Sequence, residues 1–183
     1  MRQLMVGLGN PWPSPKMARH NLGTMVLEAL AKQLDLEWSW WWSCWGWIAE
    51  EEELGFGFFL PRSFYNTSGW AVQRVMELHG LEAHQVLLLH DDLDLPPLCW
   101  SVLGGNHSDA GNRGVRGVRR AAGNVRRLRL GIGRPDGGDV GSYVLGKVED
   151  ELLERWQVAA QSGELLKIFG TEGYTRGRLE AAS

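Results

Sequence analysis

Two short apolar runs, Leu4–Leu8 and Val86–His90, constrain this chain more than anything else in it. Each is too short for a helix and long enough for a strand. Each is apolar at successive positions, so it needs cover on both faces. Each also ends abruptly in turn-forming residues: Gly9-Asn10-Pro11 after the first, Asp91-Asp92-Leu93-Asp94 after the second. Between them the period changes. His20–Leu34 places Leu22, Val26, Leu30 and Leu34 four apart, on one face of a helix. Ser68–His79 reads as a second helix with Ser68 at its N-cap, and Arg113–Ala122 as a third. Phe56–Pro61, Cys99–Leu103 and Arg126–Ile132 read as strands. Asp150–Phe169 reads as one long helix burying Leu152, Leu153, Trp156, Ala159 and Ala160. This alternation predicts an α/β fold: a single-domain three-layer sandwich over residues 1–183, with a mixed twisted sheet and helices on both faces.

Six of the ten tryptophans fall between Trp38 and Trp47. One reading makes this block a strand and its approach, packed against helices. The other makes it a surface on which bases stack.

Charge is segregated along the chain. The total is −3, from 19 cations and 22 anions, which argues against a nucleic-acid partner on the average alone. Yet Arg113, Arg116, Arg119, Arg120, Arg126, Arg127, Arg129 and Arg134 place eight arginines in 22 residues, and no acid lies between Asp109 and Asp136. On the strand, Arg127 and Arg129 alternate with Leu128 and Leu130, which predicts an arginine face over a leucine core. Potentials are local, so such a face can bind anions on a slightly acidic protein. The only cysteines, Cys44 and Cys99, form neither a disulfide framework nor a zinc set. No apolar run approaches a membrane span, and MRQLMVGLGN lacks the apolar stretch of a secretory signal. A cytoplasmic chain is expected, or an organellar one if a targeting segment precedes this sequence.

Four polar clusters end the expected elements: Gly7–Pro11, Ala18–Asn21, Phe64–Gly69 and His90–Asp94. Ligands of α/β sheets gather outside the carboxyl ends of the strands, so Asn10, Asp91 and His20 can share one rim. His20 with Asp91 makes a base and its orienter, the carboxylate fixing the imidazole tautomer. Gly-x-Ser-x-Gly is absent, which leaves water as the nucleophile. The His90, Asp91, Asp92 and Asp94 cluster fits neither His-Glu-x-x-His nor an EF-hand loop, so no metal and no cofactor is expected. Gly7-Leu8-Gly9 follows a strand, but Trp12 stands where a dinucleotide site needs its third glycine.

Taken together, Val6-Gly7-Leu8-Gly9-Asn10-Pro11, Ala18-Arg19-His20-Asn21-Leu22-Gly23, Leu60–Gly69, His90–Pro97, Arg127–Pro135 and Val144-Leu145-Gly146 resemble, in order and spacing, the bacterial-type peptidyl-tRNA hydrolase family. The resemblance runs from Leu4 to about Phe169. It implies cleavage of the ester between a peptide and the terminal ribose of tRNA, without a metal, by a monomer whose partner is peptidyl-tRNA. It implies His20 as the base that activates water, Asp91 as its holder, and Asn10 as a donor beside the ester. Phe64 and Asn66 then line the site for the peptide and the 3′ end, and Arg129 meets a tRNA phosphate.

The sequence departs from the family at several positions. Ala110-Gly111-Asn112-Arg113-Gly114 replaces a glycine-glycine-histidine-asparagine-glycine loop, so either Asn112 or Arg113 takes the asparagine's place in binding substrate. Trp12 replaces a glycine and Pro15 a tyrosine. Cys99–Leu103 has no lysine for a phosphate, and Tyr65 falls outside the usual pattern. These changes, with the tryptophan block, leave a second reading open: a catalytically weak relative that binds RNA or assists assembly on the same scaffold. A scaffold without surviving function is the third.

Overall fold

The two apolar runs become the two central strands of one eight-stranded sheet. The structure is a computed structural model that describes residues 1–11, 13–170 and 174–179. Its strands are β1 (Gln3–Gly7), β2 (Ser39–Trp41), β3 (Gly46–Glu51), β4 (Phe56–Pro61), β5 (Val86–Asp92), β6 (Cys99–Leu103), β7 (Arg126–Gly131) and β8 (Thr175–Arg178). They lie in the order β2-β3-β4-β1-β5-β7-β6-β8. β4, β1, β5 and β7 run parallel, and the remaining pairings are antiparallel. The register sets Leu4 beside Val86 and Gly7 beside Leu89, so β1 and β5 finish at the same rim.

Side chains alternate across a strand, and that alternation builds two cores. On one face Leu4, Val6, Val86 and Leu88 pack with Val72, Val75, Val115 and Val118. These last four belong to α2 (Gly69–His79) and α3 (Arg113–Ala122). On the other face Met5, Leu87, Leu89, Leu128 and Leu130 meet α1 (Leu22–Gln33), α5 (Asp150–Gln161) and α6 (Glu164–Phe169). A short α4 (Val140–Leu145) stands beside the rim. The result is the three-layer α/β sandwich that the alternating pattern predicts.

Several elements differ from the sequence reading. The long C-terminal helix is two helices, broken at Gly163, whose φ of 75° belongs to the left-handed region. β5 continues through Asp91 and Asp92 instead of stopping before them. The helix expected from His20 opens as a 3₁₀ turn over Arg19–Asn21 before α1 begins. Ser68 makes no side-chain cap; its hydroxyl donates to the Phe64 carbonyl. The tryptophan block forms the hairpin β2–β3 at the sheet edge. Trp40 meets Trp42, Trp45 and Trp47 edge-on at 5.3–5.6 Å, and Trp41 stacks on His79 of α2. Trp42 and Trp45 remain exposed at the tip. β7 sets Arg127 and Arg129 on the face opposite the core residues Leu128 and Leu130, but that face is not open: Arg127 is buried at 1% exposure and donates to the carbonyls of His107 and Ser108. Trp12 lies outside the described residues. Among the described residues no helix is long and apolar enough to cross a membrane.

Candidate active site

Alternation along β5 sorts its last three residues. Asp91 follows Leu87 and Leu89 toward α1, whereas His90 follows Val86 and Leu88 toward α3. The turn over Arg19–Asn21 reaches Asp91 because α1 lies directly on the strand. A Cβ at Gly23 would collide with the Leu89 carbonyl, so only glycine permits that approach. The same segment is tied down at its other end. Arg19 pairs with Glu149, donates to the Tyr143 carbonyl and covers the Tyr143 ring.

His20 Nδ1 stands 2.9 and 3.0 Å from the two oxygens of Asp91. An ionised carboxylate only accepts, so Nδ1 carries the proton and Nε2 keeps a free lone pair. Asp91 is buried at 3% exposure, and a buried carboxylate needs further donors. Tyr65 supplies one: its hydroxyl donates to Asp91 Oδ1 at 2.8 Å. Its ring stacks on the imidazole, with centroids 3.5 Å apart and planes 16° from parallel. Asn112 completes the row. Its Oδ1 accepts from the Val115 amide and so caps α3, which turns its Nδ2 toward the Tyr65 oxygen at 3.1 Å. Burial, and then the Asp91 charge, pushes the Tyr65 hydroxyl well above its ordinary range, so it remains a donor.

Asn10 is held from two sides. Its backbone N–H donates to Asn21 Oδ1 at 2.7 Å, and its own Oδ1 accepts from the Tyr65 amide at 2.8 Å. Its side-chain nitrogen is thereby left for another acceptor. Asn21 in turn donates to the carbonyls of Pro15 and Lys16, fixing the path of that loop.

His20, Asn66, Asp91, Asn112 and Arg113 line one cleft of about 460 Å³, closed on one side by Val140 and Val144 of α4. Asn10 does not line that cleft; it lines a second cavity of about 500 Å³ with Trp40, Trp47 and Arg62. Phe64, just before Tyr65, is exposed. Both Asn112 and Arg113 reach the cleft, in different ways: Asn112 is bonded into the row behind Asp91, and Arg113 is exposed. Arg129 stands apart. Its guanidinium donates to both oxygens of Asp92 at 2.7 and 3.1 Å, and it lines a separate cavity with Tyr174 and Arg176. Burial alone would raise the Asp92 carboxyl, but the Arg129 bonds hold it below the ordinary range. His90 sits behind the site, and burial pushes its imidazole down, so it is neutral. Among the described residues no three His, Cys, Asp or Glu side chains are grouped to hold a metal ion.

Three features escape the sequence reading. Tyr65 shows no motif of its own. Asn21 shows only as the neighbour of His20. Arg176 lies on β8, a strand without an apolar signal.

Comparison with known proteins gives the family. The family model described as peptidyl-tRNA hydrolase matches residues 4–179. A peptidyl-tRNA hydrolase of Synechococcus sp. (strain JA-2-3B'a(2-13)) is 38% identical over 172 residues, covering 84% of this chain and 71% of that one. That of Geotalea uraniireducens is 34% identical over 182 residues, covering 93% and 91%. The crystal structure of peptidyl-tRNA hydrolase from Acinetobacter baumannii superposes with a TM-score of 0.76 at 27% identity, covering 91% of this chain and 92% of that one.

Proposed function

The chain belongs to the peptidyl-tRNA hydrolase family, and we propose that it cleaves the ester between a peptide and the 3′ ribose of tRNA with water activated by His20. The observation that carries this reading is the His20–Asp91 pair opening into a cleft that also holds Asn66. Water bound at Nε2 gives up a proton as its oxygen attacks the ester carbonyl. Asp91 stabilises the imidazolium that forms. The tetrahedral oxyanion is met by amide donors, Asn10 Nδ2 and the Asn66 side chain. When the intermediate collapses, the ribose 3′-oxygen leaves and takes the proton back from His20. The products are a free peptide carboxylic acid and intact tRNA. No step calls on a metal.

Phosphates need cations that are not already committed. Arg113 is exposed at the cleft mouth with no ion-pair partner among the described residues, so it suits the 3′ end. Farther along the acceptor stem exposed Arg176, beside Tyr174, offers a further cation, and Arg129 in the same cavity could meet a phosphate only by sharing its charge with Asp92. Phe64 offers an exposed ring to the terminal base or to the peptide.

The test is release of N-acetylated aminoacyl groups from tRNA by the purified protein and by His20→Ala. Release by the wild type and none by the variant is expected. Equal release by both removes His20 as the base. Tight tRNA binding with no release in either favours the RNA-binding reading.

A further inference from the structure

We propose that Tyr65 is a positioning residue for this hydrolysis, a phenol that orients the Asp91 carboxylate and tempers its charge toward His20. The inference rests on the reading of His20 as the base. It starts from the direction of three hydrogen bonds. The Val115 amide fixes the Asn112 amide, whose Nδ2 donates to the Tyr65 oxygen. The Tyr65 hydroxyl has then only its own proton to give, and Asp91 Oδ1 is 2.8 Å away. Asp91 also accepts from His20 Nδ1. His20 and Tyr65 both donate to one carboxylate, and Asn112 fixes the Tyr65 donor, so the group cannot turn without breaking a buried bond.

The charge around His20 points the same way. The charged groups facing it across the cleft are Asp91, Asp92 and Asp94 from the β5 side, Asp109 and Arg113 from the α3 side, and Arg134 after β7. Three of these acids are paired: Asp92 with Arg129, Asp94 with Arg134, Asp109 with Arg116. Among the described residues Asp91 alone of the four has no guanidinium. A buried carboxylate with no other donor would hold the imidazolium more firmly than one that already accepts a second hydrogen bond. A phenol donor withdraws part of that charge without adding a positive one.

So does shape. The Tyr65 ring backs the imidazole at 3.5 Å, and its backbone amide holds Asn10. A Cβ at Gly114 would collide with the Tyr65 ring, so α3 is notched to receive it.

Tyr65→Phe keeps the ring and removes the hydroxyl. The expected result is a proton NMR titration of His20 with its midpoint about half a pH unit higher. The acid limb of the rate profile moves by the same amount. Turnover at pH 7 falls about three- to tenfold, with the KM for peptidyl-tRNA changed less than twofold. Incorporating 3-fluorotyrosine at position 65, a stronger donor of the same shape, must move the midpoint the other way, and it covers the case in which the phenylalanine variant folds poorly. Unchanged midpoints in both proteins overturn the proposal. The titration needs no turnover. A shifted midpoint in a protein that cleaves nothing would therefore sustain Tyr65's role and sink the hydrolase reading.

Discussion

The two halves of the sheet's carboxyl rim treat polarity in opposite ways. On the β1–β5 side, residues far apart in the chain converge: His20, Tyr65, Asp91 and Asn112 share one row of bonds around a single carboxylate. On the α3–β7 side, arginines close together in the chain are dispersed. Arg116 is taken by Asp109, Arg129 by Asp92 and Arg134 by Asp94, while Arg127 is buried among carbonyls. Density of one charge along a sequence therefore does not make a free electrostatic surface. What counts is which acids the fold brings opposite. Only arginines left over, Arg113 foremost, can answer a phosphate without first giving up a partner.

The largest test of this contrast is His20→Ala, which removes the base and should lower turnover about a thousandfold or more, read by peptide release, with melting temperature nearly unchanged. Asp91→Asn keeps the shape and removes the charge; about a hundredfold loss is expected in the same assay. If these two variants lost no more than an arginine variant, the convergent half would have no special role. Arg129→Ala tests the other half. It strands Asp92, which is 9% exposed, and should cost about 2–4 kcal/mol in chemical denaturation. The pair also sets an acid dependence. Asp92 is held lower in the folded chain than when unfolded, so its contribution is present above about pH 4 and lost as pH falls through the lower folded value. Wild type should lose stability in that range, and Asp92→Asn should lose less. Loss of tRNA affinity in Arg129→Ala with full stability would break the contrast, since that arginine would then be free. Arg113→Ala should give the smallest effect: a few-fold weaker tRNA binding, a salt slope reduced by about one, and no change in stability.

The sequence makes the middle of this molecule plain and its edges obscure. Leu4–Leu8 and Val86–His90 announce central strands because they are apolar on both faces. His20, Asn10 and Asp91 can be placed on one rim because each sits just beyond such an element. Tyr65 cannot be found that way: its importance lies in the direction of a hydroxyl, which no spacing encodes. Arg127 misleads for a related reason. Alternation assigns it a face, but the loop from Gly104 to Asn112 lies over that face and supplies carbonyls. β8 and the break at Gly163 are set by what they pack against, and neither carries a strong local period. The tryptophan hairpin reads as strand from composition, yet its mutual edge-on packing at the sheet margin follows from the turn at Trp42–Trp45.

Arg127 has one more consequence. The partners that hold it belong to the main chain, at His107 and Ser108, so they are indifferent to which amino acids occupy those positions. Spelling in that stretch is accordingly free to drift, while its route is not. Trimming it by even a residue or two would withdraw those acceptors from a guanidinium sealed beneath.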